Sequence, residues 1–326
     1  MSQLVVLPQL DPTAYQRHSL HADDRVWVEK NCYIDICIEL VHALGLEPLA
    51  MLPFVLATDF EGDQWTFFKP PHGELRELYG LDFQELNVWR PLADHAQTHL
   101  AEGKLISTEA DAFYLPDTAG TDYQRQHTKT TIVIQSFDLE RRRLGYFHNA
   151  GYYALEGDDF AHLFRVGVAP DPTFMPLFAE VVRIDRLVHR PVEELRVRAR
   201  ELLRRHLALK PGDNPVQRFG RRFATDLPWI TGEGLAFYHA WAFATVRQLG
   251  AAFELASLHL QWLGDAALVP ASDAFSRLSQ TAKAFILKAA RAVNGKRALD
   301  AAPMFDEMAA AWQSGMDTLT AQLPPA

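Results

Sequence analysis

HTKTTIVIQSFD, residues 127–138, is the segment on which the fold turns. From Thr128 to Ile134 every residue but Lys129 is β-branched, the composition of a strand buried in a sheet. Side chains alternate along a strand, so His127, Lys129 and Thr131 share one side. The basic run ERRR, residues 140–143, leads into LGYFHNAGYYAL, residues 144–155, read as the hairpin partner. Upstream, EGKLISTEADAFYLPDT, residues 102–118, carries a turn at Gly103 and then a period-two strand, with Glu109, Asp111 and Phe113 on one side.

A helix accompanies these strands. VEKNCYIDICIEL, residues 28–40, holds both cysteines, Cys32 and Cys37. Asn31 is placed to cap the helix, Ile34, Cys37, Val41 and Leu44 recur at helical spacing, and Gly45 ends the run. Two cysteines five apart on a helix point in different directions, so both are expected as free thiols.

Elsewhere the pattern predicts extended pieces between 49 and 68, interrupted by DFEGD, and helices at 72–79 and 82–89. A short helix over GDDFAHLF follows, then a loop from 170 entering a strand, and a helix over 191–209 with an arginine-rich face. KPGDNPVQRFGRRF, residues 210–223, is rich in Pro, Gly and charge and reads as a boundary or a functional linker. From Gly232 the chain reads as helical: one long helix or two joined near Gly250, then 272–293 and 301–319. The expectation is an α/β (α+β) chain with a mixed sheet and an all-helical C-terminal region, divided into 1–210 and 211–326.

The 326 residues are 48% hydrophobic with 20 Phe, enough apolar material for large cores. A formal net charge of −9 gives no general attraction to nucleic acid or anionic lipid. The opening MSQLVVLPQLDP lacks the basic flank and apolar core of a signal peptide, and no apolar run reaches membrane-spanning length. Cytoplasmic residence, without nucleic acid or membrane partners, is the expectation.

Cys32 directly follows the predicted cap, where unpaired backbone N–H groups and the positive helix end favour a thiolate and an adjacent oxyanion. Asn31 would help orient this group. A cysteine nucleophile needs an imidazole and a group to orient it. His127, at the mouth of the strong strand, and His148, at the end of its neighbour, are the candidate bases; Asn149 is the orienting candidate. Asp59, Glu61 and Asp63 with Glu109 and Asp111 could gather around a hard cation, but no close ligand motif exists and no metal is expected. No glycine-rich phosphate loop occurs either.

NCYID, EADAFYLPDTAGTDY, HTKTTIVIQSFD and LGYFHNAGYY, with RQLGAAFEL and AKAFILKAARAVN further on, resemble the bacterial DUF1839 family over most of the chain. More distantly, the first half is similar to the butirosin-pathway acyltransferases related to C39 peptidases, which implies a papain-like α/β half. On that resemblance Asn31 and Cys32 match an Asn-Cys helix start, Leu115 and Pro116 a Leu-Pro element, and Asn149 the orienting acid or amide. Direct alignment puts Thr130 where those enzymes have histidine, with His127 three residues earlier.

The resemblance implies transfer of an aminoacyl group from a carrier-protein thioester through acyl-Cys32 to an amine, with His127 as base. No tightly bound cofactor is implied beyond phosphopantetheine presented by a small acyl or aminoacyl carrier protein. Asp59, Glu109, Asp111 and Lys129 would line the pocket for the small-molecule amine or aminoacyl group. Arg141, Arg142 and Arg143, or Arg218, Arg221 and Arg222, would receive the acidic carrier. A cysteine amidase or peptidase, and a non-catalytic carrier-binding or scaffold protein, are the competing readings; the threonine at 130 argues for the last.

Overall fold

In the computed structural model, residues 3–169 and 173–324 are described. Positions 1–2 of the irregular start and 170–172 of the expected loop lie outside the described residues. The chain forms two compact units: Met1–Ala22, Asn31–Glu47 and His72–Arg190 make the first, and Asp23–Lys30, Pro48–Pro71 and Pro191–Ala326 the second. The architecture is mixed α and β with a C-terminal helical region, compatible with a papain-like half.

The first unit is built on a seven-stranded sheet of β1 (Leu4–Val5), β2 (Asp82–Glu85), β3 (Leu105–Asp111), β4 (Lys129–Asp138), β5 (Arg143–His148), β6 (Gly151–Glu156) and β7 (Ala179–Arg183). The order is β2-β7-β3-β4-β5-β6 with β1 added beside β4, every pairing antiparallel. The 127–138 segment thus supplies a central strand, buried from Thr130 to Asp138. LGYFHNAGYYAL is two strands, β5 and β6, joined at Asn149 and Ala150.

Among the described residues four α-helices belong to this unit: α1 (Cys32–Ala43), α2 (His72–Tyr79), α3 (Leu92–Ala101) and α4 (Asp158–Leu163). One face of the sheet packs Ile106, Ile132, Ile134 and Tyr146 with Ala96 and Leu100 of α3 and Phe160 of α4. The opposite face of β4, β5 and β6 receives α1. The helix expected at 82–89 is instead β2, because Phe83 is needed as a buried strand position paired with Val182 of β7.

The second unit contains α5 (Val192–Ala208), α6 (Pro215–Glu233), α7 (Leu235–Ala244), α8 (Val246–Leu263), α9 (Val269–Asn294) and α10 (Ala302–Gln322). The division expected at 210 is drawn at 190, since α5 packs on the short 3-10 turns Pro48–Met51 and Pro53–Ala57 of the second unit. Those turns, with one isolated bridge between Phe60 and Trp65, replace the predicted extended pieces.

Residues 210–223 do not form a linker: Asn214 caps α6 by accepting from the N–H groups of Val216 and Gln217, and Pro215 takes the first helical position. The long C-terminal pattern breaks at Thr245, with φ −122° and ψ −79°, and not at Gly250. Gly250 lies inside α8 because the Trp27 indole needs its space; that indole donates to Ser279 Oγ at 2.9 Å.

Two outcomes follow from this packing. Gly250→Ala drives a methyl into the Trp27 ring, and thermal unfolding should show a loss of about 1–3 kcal/mol. His259 of α8 donates Nδ1–H to the Leu49 carbonyl at 2.8 Å, and burial pushes its pKa down to about 4, with Leu49 opposing and Arg200 assisting. Between the unfolded value near 6.5 and that folded value, only the unfolded chain binds the proton. Stability carried by neutral His259 is therefore complete above about pH 6.5 and declines as pH falls towards 4, on the order of 3 kcal/mol in all. A melting-temperature series over that range should be flatter in His259→Gln than in the wild type.

Candidate functional site

Cys32 opens α1. Asn31 is extended at φ −146° and ψ 158°, and its Oδ1 accepts from Tyr33 N–H at 3.1 Å and Ile34 N–H at 3.0 Å. This cap engages the second and third amides of the helix and leaves the Cys32 N–H outside its reach. The Cys32 thiol is partly exposed and donates to Thr131 Oγ1 at 3.8 Å, whereas Cys37 is buried; both are free.

Sheet register decides what else lies near Thr131. Glu109 pairs with Thr131 and Asp111 with Lys129. Lys129 Nζ is 3.4 Å from Glu109 Oε1, and His127 Nδ1 is 2.6 Å from Asp111 Oδ2 with its ring stacked on Phe113 at 4.4 Å. Glu109 with Lys129 and Asp111 with His127 therefore form two neighbouring polar pairs on the side of the sheet that carries Thr131. His127 is four residues from Thr131, roughly 13 Å at strand rise.

Among the described residues no hydrogen bond joins any two of Cys32, His127 and Asn149. The group holding the His127 ring is Asp111, and Asn149 occupies the β5–β6 turn at φ 44°, a left-handed position that asparagine tolerates. His148 accompanies Thr130, whose side chain alternates to the face opposite Thr131. There Thr130 Oγ1 and His148 Nε2 are 2.8 Å apart, His148 Nδ1 is 2.5 Å from Asp117 Oδ2, and Tyr146 donates to Asp117 Oδ1 at 2.5 Å. His148 thus belongs to a buried Thr-His-Asp relay facing away from the sulfur.

A second imidazole lies on the α1 face. Tyr33 Oη donates to Glu180 Oε2 at 2.8 Å and is 2.8 Å from His72 Nε2; Ser107 Oγ donates to the same carboxylate oxygen at 3.1 Å. His72 Nε2 is 3.4 Å from Glu180 Oε1. Burial first, then the neighbouring Cys37 and Glu180, pushes the Tyr33 phenol far up, so it stays protonated. Sequence reasoning missed His72, Glu180 and Asp117. Tyr33 followed the flagged cysteine directly, but its partner Glu180 is 147 residues away.

The remaining predicted residues other than Arg221 have local partners. Asp59 and Arg218, both in the second unit, meet at 2.5 Å between Oδ1 and Nη2. Arg222 Nε is 2.7 Å from Asp226 Oδ2, and Arg221 is exposed. In the first unit Arg141 pairs with Asp138 at 3.1 Å, Arg142 with Asp158 at 3.9 Å and Arg143 with Glu156 at 2.8 Å.

These features define a mixed α/β protein with a helix-borne cysteine on one face of an antiparallel sheet. Residues 16–184 match the DUF1839 N-terminal domain and residues 192–321 the DUF1839 C-terminal domain; the chain belongs to the DUF1839 family. The two matches part between 184 and 192, where the second unit's helices begin. No match is found among curated proteins. Among the described residues no helix is long and apolar enough to cross a membrane.

Unequal burial of the thiols gives a direct outcome. Iodoacetamide should alkylate Cys32 roughly tenfold or more faster than Cys37 in the folded protein, read by peptide mass mapping, with the difference vanishing in denaturant.

Proposed function

We propose that the protein is a cysteine-dependent acyltransferase that takes an aminoacyl group from a carrier-protein thioester and passes it to an amine. The observation that supports this best is the partly exposed Cys32 sulfur at the capped start of α1, beside a sheet face whose edge carries two carboxylates, an ammonium and an imidazole.

In this reading the Cys32 thiolate attacks the thioester carbonyl. The Cys32 N–H stabilises the oxyanion, the carbon–sulfur bond to the phosphopantetheine thiol breaks, and that thiol leaves with the proton Cys32 had given up. The amine then attacks acyl-Cys32, an amide bond forms, the carbon–sulfur bond breaks to release the Cys32 thiolate, and the amine's proton passes to His127, whose ring Asp111 orients. Glu109 and Asp111 suit an α-ammonium group, and Lys129 suits a carboxylate. Asp59 is committed to Arg218 within the second unit. Cytoplasmic residence fits a carrier-dependent reaction.

One observation favours a second reading, a non-catalytic carrier-binding protein: the side chain against Cys32 Sγ is the Thr131 hydroxyl and not an imidazole. Intact-mass spectrometry after mixing with aminoacyl-loaded carrier separates the readings. Transfer predicts an acyl-sized mass gain that is absent in Cys32→Ala and decays faster when amine is added. His127→Ala should slow that decay by about 10²-fold or more. Equal decay with and without amine would mark an amidase or peptidase. Carrier binding with no mass gain would leave the binding role alone.

A further inference from the structure

Away from Cys32, on the α3 and α4 side of the first unit's sheet, residues 88–92 and 163–165, with Val168, Ala169, Phe174, Pro176 and Leu177, line a cavity of about 320 Å³. Its apolar walls include Trp89, Leu92, Leu163, Phe164, Val168 and Phe174. Trp89 is 76% exposed, Val168 53% and Phe174 43%, a grouping of apolar surface that a folded chain rarely leaves in water without use.

Two guanidinium groups also line this cavity. Arg90 lies over the Trp89 ring at 5.3 Å and Arg165 over the Phe174 ring at 4.1 Å. Among the described residues neither takes part in an ion pair. Arg90 Nη2 donates to Thr98 Oγ1 at 2.9 Å, while its Nε is sealed from solvent without a hydrogen-bond partner. Nearby, burial and then Arg90 hold the His95 pKa below its ordinary value, against the opposing Asp94.

Arg165 carries a further sign. α4 ends in a Schellman turn: Val166 N–H donates to Ala161 O at 2.8 Å and Arg165 N–H to His162 O at 3.2 Å, which puts Arg165 in the left-handed position at φ 54°. Glycine takes that conformation without strain, and arginine does not. Nothing in the turn itself asks for a guanidinium.

We propose that this cavity binds a small amphiphilic carboxylate, its apolar end among Leu92, Leu163 and Phe164 and its carboxylate between Arg90 and Arg165. The volume stands at the small end of ligand pockets, which suits a short acyl or aryl group and not a long lipid chain. Planar guanidinium groups stacked on aromatic rings present their N–H edges to a carboxylate in the bidentate manner. The site is independent of the reading of Cys32.

Calorimetric titration of the full chain with octanoate, 1-octanol and inorganic phosphate tests this, with Trp89 emission recorded in parallel. Octanoate should bind at one site per chain and perturb an emission component that is missing in Trp89→Phe; 1-octanol and phosphate should each bind at least tenfold more weakly. Arg165→Gly should retain or raise the melting temperature, because glycine relieves the left-handed position, and should weaken octanoate at least tenfold while leaving 1-octanol unchanged. Arg90→Gln should weaken octanoate similarly. Equal affinity for octanoate and 1-octanol, phosphate binding as tight as octanoate, or no saturable octanoate binding would each overturn the proposal. So would Arg165→Gly that lowers the melting temperature and leaves octanoate affinity intact, since the arginine would then be structural.

Discussion

The structure of the first unit depends on β4 being buried on both faces. From Thr130 onward each residue of that strand is buried on one face or the other, and a slip of one position would exchange the two sets. Thr130 and Thr131 show what is at stake: the first meets His148, the second meets Cys32. Antiparallel pairing with β3 carries the same constraint sideways, setting Glu109 beside Thr131 and Asp111 beside Lys129. The placement of the sulfur and of the charged edge thus comes from one hydrogen-bond register.

Register alone does not fix the roll of α1 on the sheet. Polar contacts on two flanks of the helix do that. Tyr33 is held by Glu180 and His72 on one flank. Asp35 and Glu39, one helical turn apart, both bind the fully buried His21, with Nε2 to Asp35 Oδ1 at 3.0 Å and Nδ1 to Glu39 Oε1; Tyr15 donates to Glu39 Oε2 at 2.6 Å. Buried charges are tolerated only when paired, and removing one member of such a set typically costs about 3–5 kcal/mol. A helix rotated by one residue would leave these carboxylates facing apolar side chains, so the same groups that are costly to bury select a single orientation for Cys32.

What the sequence disclosed follows from whether a signal is local. The β-branched run of β4, the Asn31 cap and the alternation of Glu109 and Asp111 are properties of a few consecutive residues, and each element lies where its pattern places it. β2 is not legible locally because four residues with a single buried aromatic hold too little periodicity to separate strand from helix; pairing with β7, about 100 residues later, decides the matter. α6 was legible in principle, through Asn214 and Pro215, but Pro and Gly density hid the cap. The Tyr33–Glu180–His72 and Thr130–His148–Asp117 sets depend on which strands become neighbours. No local pattern announces that.

Position 131 is where the two functional readings part. A threonine hydroxyl can hydrogen-bond the Cys32 thiol, but it is far too weak a base to keep its proton, so acyl transfer needs another group to complete the cycle. His127 is anchored to Asp111 and His72 to Tyr33 and Glu180, which gives each ring an orienting partner and neither a hydrogen bond to the sulfur. For Cys32 this favours a chemistry whose first step needs little base assistance. Thioester exchange is of that kind, because the thiol that leaves is as good a leaving group as the one that attacks. Amide hydrolysis is not, since an amine cannot depart without a proton delivered at the sulfur's side. The same threonine that weakens the case for a peptidase is therefore compatible with a thioester as substrate.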